Sequence, residues 1–132
     1  MDEQLSVLVV EDDAPLRAVL CDTLQIAGYD TREASDGAAA VTLLRQFEPA
    51  LIISDVQMPV MDGHELLALC RSQYPEIPFV MMTAYSTVDQ AVTAMRRGAA
   101  DYVCKPFEAE VLVEAVARLA RRIAVTAWST VL

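Results

Sequence analysis

The sequence is poor in the residue types that build zinc sites and disulfide frameworks. It has one histidine and three cysteines, Cys21, Cys70 and Cys104, with no C-x-x-C pair and no Cys/His cluster, so zinc is disfavoured. Each cysteine lies in an apolar run and reads as a reduced core residue of a cytosolic protein. Basic residues are also scarce. Lys and Arg total 10 against 19 Asp and Glu, a net charge of -9, which repels polyphosphate backbones and argues against direct nucleic-acid binding. No apolar run approaches the roughly 20 residues that span a bilayer. Met1-Asp2-Glu3-Gln4 lacks the basic and apolar stretches of a signal peptide, so a cytoplasmic protein without membrane contact is expected. Internal repeats and low-complexity tracts are lacking too.

What is present is a core. Hydrophobic residues make up 55% of the 132 positions, which excludes disorder. At roughly 100 to 200 residues per folding unit there is room for one domain, without a second catalytic or DNA-binding module. Short β-branched runs alternate with longer runs of helical period. The predicted strands are Ser6 to Val10, Tyr29 to Ala34, Leu51 to Ser54, Phe79 to Met82 and Asp101 to Cys104. The first helix follows Asp13, an N-cap with Pro15 in the first turn, carries Leu16, Val19, Leu20, Thr23 and Leu24, and stops at Gly28. The second starts at Asp36 with Ala40, Leu43, Leu44 and Phe47 on one side. The third follows Asp62-Gly63 and carries Leu66, Leu67, Cys70 and Tyr74 until Pro75. The fourth carries Val88, Ala91, Val92 and Met95 as its apolar stripe, with Gly98 as its stop. The fifth follows Pro106 and carries Leu112, Ala115, Val116 and Leu119.

Strands that alternate with helices imply a parallel sheet, because right-handed helical crossovers join parallel neighbours and cover both faces. Leu5 to Val10 and Leu51-Ile52-Ile53 are apolar without alternation, as a doubly covered sheet requires. The expected fold is therefore α/β, a three-layer sandwich of a five-stranded parallel sheet and five helices. In such sheets the ligand site lies beyond the carboxyl ends of the strands, where strand order reverses.

Those ends carry chemistry. Glu11, Asp12 and Asp13 follow the first strand, Asp55 the third, Thr83 the fourth and Lys105 the fifth. Asp13 is explained as the cap of the first helix. Asp55 has no such duty, since Asp62 and Gly63 already supply the turn and cap of the next helix. Three carboxylates within roughly 4 to 6 Å repel by up to several kcal/mol at a partly exposed site, so a positive partner is required. A hard divalent cation fits best: Mg²⁺ takes oxygen ligands, keeps waters, and is held by one or two carboxylates plus a phosphate. A cation, a carboxylate, a hydroxyl and an amine are the parts needed for phosphoryl transfer, with the carboxylate as nucleophile.

The run Val9-Val10-Glu11-Asp12-Asp13, the segment Ser54 to Gly63 (Ser-Asp-Val-Gln-Met-Pro-Val-Met-Asp-Gly), Thr83-Ala84 and Lys105-Pro106-Phe107 resemble, in that order, the receiver domain of two-component response regulators. The resemblance covers residues 5–121, leaving 122–132 as a linker or C-terminal extension. It implies a flavodoxin-like sheet of strand order 2-1-3-4-5 and assigns roles by position. Asp55 matches the phosphoacceptor, charged from a sensor histidine kinase. Asp12, Asp55 and the backbone carbonyl of Gln57 match the Mg²⁺ ligands, with Glu11 acting through a water and Mn²⁺ able to substitute. Lys105, Thr83 and the Ala84 backbone N–H match the phosphate-binding groups, and the Lys105–Pro106 peptide bond is expected to be cis.

Thr83 and Tyr102 match the switch pair, with the fourth helix, fifth strand and fifth helix as the output face. Gln57 and Tyr85 match positions that tune dephosphorylation. His64 reads as solvated surface, and Met81 and Met82 as core. The fifth helix has more apolar residues than one buried stripe needs, which fits a partner or a homodimer contact. The tail holds Thr126, Trp128, Ser129 and Thr130 without clear period.

Within the family, Met82 to Asp89 and Arg96 to Tyr102 most resemble enhancer-binding activators of nitrogen-regulation type, flagellar regulators among them. Such proteins continue into an AAA+ ATPase and a DNA-binding domain, which this chain lacks. It is then either a regulatory domain of such an activator or a stand-alone receiver working through protein contacts. Rival classes fit less well. An aspartate-nucleophile phosphatase of the haloacid dehalogenase type, an enzyme proper, needs a second Asp where Gln57 stands. A flavodoxin-like electron carrier needs a Ser/Thr/Gly-rich loop where Glu11-Asp12-Asp13 stand. A degenerate receiver would have lost matched positions that are all present here.

Overall fold

Alternating strands and helices fold as one sheet between two helical layers. The computed structural model describes residues 4–84 and 87–131, with residues 124–131 described by their helical backbone alone. The elements are β1 (Ser6–Val10), α1 (Ala14–Ile26), β2 (Asp30–Ala34), α2 (Gly37–Leu44), β3 (Leu51–Asp55), α3 (Gly63–Gln73), β4 (Phe79–Thr83), α4 (Val88–Arg96), β5 (Asp101–Cys104) and α5 (Ala109–Val131). The strand order is β2-β1-β3-β4-β5, with every neighbouring pair parallel. The expected architecture and strand order are both found. β3 and β4 each run one residue further than expected, so that Asp55 and Thr83 close their strands.

Local chemistry sets the helix starts. Asp13 accepts the backbone N–H of Leu16 at 3.1 Å, and Asp36 that of Ala39 at 2.8 Å. Asp62 forms a reciprocal capping box with Glu65, which satisfies two of the otherwise orphaned donors of α3. The three central strands face helices on both sides. Val7, Val9, Ile53, Val80 and Met82 pack on α1 and α5 through Leu20, Leu24, Leu112 and Val116. Leu8, Val10, Ile52, Phe79 and Met81 pack on α2 and α3 through Ala40, Leu44, Leu66, Leu67 and Cys70. Each of the larger side chains contributes about 1.5–3 kcal/mol on burial, so much of the burial energy lies at the sheet centre.

Several expectations are corrected. The stripe of α4 is not buried: Val88, Val92 and Met95 are exposed, and the buried residue is Ala94. Periodicity reports that a helix has two faces, but not which of them finds a partner. In α1, Val19 is exposed and Cys21 takes the buried place beside Leu20 and Leu24. Phe47 lies beyond the end of α2, with the Arg32 guanidinium 4.6 Å above its ring. Cys104 is exposed, because β5 is an edge strand, whereas Cys21 and Cys70 are buried. His64 is half-buried rather than solvated, with its Nδ1 shut off from solvent. Met81 and Met82 are fully buried as expected. No helix among the described residues is long and apolar enough to cross a membrane.

Candidate functional site

β1 and β3 are neighbours, while β2 lies on the other side of β1. The connections leaving β1 and β3 therefore diverge and open a crevice above their carboxyl ends. Glu11 follows Val10, the residue in register with Ser54, and Asp55 is next after Ser54. This register brings single carboxylate oxygens of Glu11, Asp12 and Asp55 within 4.8 Å of one another. Glu11 is 1% exposed and Asp55 7%, whereas Asp12 is open to solvent.

Lys105 reaches into this cluster from the end of β5. Its Nζ lies 2.5 Å from Oε1 of Glu11 and 3.2 Å from Oδ1 of Asp55. The Lys105–Pro106 bond is cis, as expected. Burial pushes the Glu11 carboxyl above its usual range, opposed in part by the Lys105 hydrogen bond. Burial alone would lower Lys105, but its bonds to Glu11 and the charge of Asp55 outweigh it and raise its pKa. The three carboxylates and the ammonium form a partly desolvated set with net negative charge, and the atoms able to ligate a cation are the carboxylate oxygens. That donor set suits a hard divalent cation, and Glu11, Asp12 and Asp55 are the residues that would hold it.

Thr83 ends β4 one residue beyond Met82, the register partner of Asp55, and is 2% exposed. Its side chain acts on the phenol of Tyr102, half-buried on β5, opposing in part the rise that burial gives that group. Ala84 follows at the surface. Gln57 is exposed on the rim, in a groove that Asp12, Met58 and Asp62 also line. Tyr85 lies outside the described residues.

The structure also shows supporting residues that sequence reasoning missed. Ser54 is buried and donates its hydroxyl to the Asp55 carbonyl at 2.9 Å. Gly63 lets α3 start directly against the chain after Asp55, since an added Cβ would stand 2.3 Å from the Asp55 carbonyl oxygen. Arg17 reaches from α1 to the carbonyl of Glu11 at 2.7 Å. Val60 adopts a left-handed φ of 68° in the loop before α3. Of these, only the Asp62-Gly63 turn had a local signal.

The profile of the response regulator receiver domain matches residues 7–117. The chain belongs to this family. The receiver is 53% identical to the response regulator protein FleR of Pseudomonas aeruginosa over 85% of its own length and 24% of that protein's. It is 40% identical to the DNA-binding transcriptional regulator NtrC of Escherichia coli over 89% of its length and 24% of that protein's. It thus spans about a quarter of either relative. Among solved structures, the chemotaxis protein CheY4 of Vibrio cholerae superposes with a TM-score of 0.83 at 34% identity, covering 89% of this receiver and 99% of that chain.

Proposed function

We propose that this receiver accepts a phosphoryl group on Asp55, from the phosphohistidine of a sensor histidine kinase, in a Mg²⁺-dependent reaction. The observation that carries the reading is the meeting of Glu11, Asp12 and Asp55 within 4.8 Å, with Lys105 bridging Glu11 and Asp55. In the transfer an Asp55 carboxylate oxygen bonds to phosphorus as the P–N bond breaks, and the bonding pair returns to the imidazole nitrogen. Bound Mg²⁺, or Mn²⁺ in its place, supplies charge compensation for the transferring oxygens. Asp12, Asp55 and the Gln57 carbonyl would hold it, with Glu11 helping through a water. Lys105 gives the phosphoryl group a fixed positive partner, and Thr83 and the Ala84 N–H give it hydrogen bonds.

Phosphorylation adds about 1.5–2 negative charges and three acceptor oxygens at Asp55. Thr83 then turns toward the phosphoryl group and leaves Tyr102, and the influence of Thr83 on the Tyr102 phenol supports that coupling. The output face is α4, β5 and α5, where Val88, Val92, Met95 and Val111 are exposed. Reversing a 1:99 equilibrium needs roughly 5.5 kcal/mol, within reach of a few charge-assisted hydrogen bonds. Gln57 and Tyr85 tune how long the phosphoryl group persists.

The receiver is a signalling domain, and we infer no turnover beyond its own phosphorylation and dephosphorylation. The likeness to FleR and NtrC supports a cytoplasmic activator of flagellar-regulator type, in which AAA+ ATPase and DNA-binding modules make up the rest of the protein. Residues 5–121 form the receiver, 122–132 an extension, and a second copy is a further partner for the output face. Incubation with acetyl phosphate and Mg²⁺, read by intact mass, is expected to add one phosphoryl group. The addition should be absent from Asp55→Ala and absent without metal, and a modified Asp55→Ala protein rejects the assignment.

A further inference from the structure

Arg17 stands where a helix gains nothing from it. It lies in the first turn of α1, at the positive end of the helix dipole, where a cation is unfavourable. Its side chain is only 17% exposed, so it is not a solvated surface charge either. Its guanidinium instead forks between two partners. Nη1 donates to the Glu11 carbonyl at 2.7 Å, and Nε donates to Oε1 of Glu33 on β2 at 3.0 Å.

Glu11 is held at four points. Its N–H donates to the Ala34 carbonyl at 3.1 Å, and its Oε2 accepts the Asp13 N–H at 3.2 Å. Its Oε1 accepts Lys105, and its carbonyl accepts Arg17. That carbonyl belongs to the peptide joining Glu11 to Asp12, so its direction sets where the Asp12 carboxylate projects. Two side chains from outside the acidic cluster hold Glu11, Lys105 at its carboxylate and Arg17 at its carbonyl, and the planar fork of Arg17 is fixed by a third residue in a way that a lysine cannot reproduce.

We propose that Arg17, oriented by Glu33, is a positioning residue for the divalent-cation site, fixing the Glu11–Asp12 peptide so that the carboxylates stand ready. This rests on the metal-dependent reading above and adds to it a brace reaching from the sheet edge through α1.

Electrostatics and positioning predict opposite signs, which makes the test decisive. Deleting a cation close to an acidic cluster would by charge alone tighten divalent binding. Losing a brace would weaken it. Mn²⁺ binding to the purified protein, followed by electron paramagnetic resonance of the free ion, needs no phosphorylation. We expect Arg17→Ala to weaken Mn²⁺ about tenfold, Arg17→Lys to recover part of the loss, and Glu33→Gln to weaken it about two- to threefold. Arg17→Ala combined with Glu33→Ala should bind no more weakly than Arg17→Ala alone.

Urea unfolding of each variant checks the fold. Were Arg17→Ala to unfold, Arg17→Gln, which also deletes the positive charge, carries the same comparison. Unchanged or tighter Mn²⁺ binding in the variants, with the unaltered protein binding normally, overturns the brace alone. Failure of the unaltered protein to bind Mn²⁺ overturns the proposed function, and the brace with it.

Discussion

Lys105 Nζ stands closer to Glu11, at 2.5 Å, than to Asp55, at 3.2 Å. Of the two acids, Glu11 has the larger part in raising the Lys105 pKa. Lys105 is also the only lysine in the sequence, so its ammonium can be followed by itself. Its pKa is raised above 10.5 because Glu11 and Asp55 outweigh the opposing effect of burial. A folded-state value above the unfolded one stabilises the protein fully below pH 10.5, and that contribution is lost as pH rises through the folded value. Titration of the Lys105 side chain by NMR should give a value above 10.5 that falls in Glu11→Gln. A value unmoved by that substitution would show that the short contact has no energetic weight.

Crowded acids are expected to hold the metal-free protein below its attainable stability. Unit charges within 4.8 Å repel by about 3–4 kcal/mol at an effective dielectric of about 20, and Lys105 and solvent offset much of this. Asp12→Asn should raise metal-free stability by up to about 1 kcal/mol in urea unfolding. The unaltered protein should gain about 2.7 kcal/mol at a hundredfold excess of Mg²⁺ over its Kd, and Asp12→Asn should lose most of that gain. Lower metal-free stability in Asp12→Asn counts against a repulsive cluster.

Tyr102 reports on Thr83. Burial raises the phenol above its ordinary value of 10.0, and the Thr83 side chain pulls it partly back. Thr83→Ala removes the lowering influence, so the Tyr102 pKa should rise further, as seen in a ring-resolved NMR titration. Because the native phenol holds its proton more tightly than the unfolded one, this group's contribution to stability declines as pH climbs above 10.0. Identical titration curves for Tyr102 in both proteins mean that the two hydroxyls are not coupled.

Gly63 is expected to tolerate no side chain. A Cβ there would sit 2.3 Å from the Asp55 carbonyl oxygen and 2.9 Å from the Val56 Cα, and neither backbone atom can swing aside as a long side chain would. Gly63→Ala should cost about 1–3 kcal/mol, as overpacking does, and should slow acetyl phosphate labelling by displacing Asp55. A fully stable, fully reactive Gly63→Ala protein would falsify this packing account.

Much of this was written locally. Asp13, Asp36 and Asp62 announce their helices because a cap bonds within its own turn, and unbroken apolar runs mark strands covered on both sides. The acids at the strand ends were legible because parallel crossovers oblige carboxyl ends to share one edge. The apolar stripe of α4 misled for the opposite reason. Whether Val88, Val92 and Met95 are covered depends on distant elements, and there the smaller Ala94 was buried instead. Cys104 misled because an edge position belongs to the sheet and not to the residue. Nothing near Val60 in the chain announced its left-handed φ of 68°.

The alternation of strands and helices, the parallel sheet and the identity of the groups along its carboxyl edge were all legible in the residues alone. Each of these follows from interactions spanning a few residues or from a rule of chain connection. Only the folded chain decides that Lys105 contacts both Glu11 and Asp55, that Arg17 donates to the Glu11 carbonyl, and that α4 presents its apolar side outward. Those outcomes depend on ångström-scale distances between segments far apart in the chain, which only the packing of the whole core fixes.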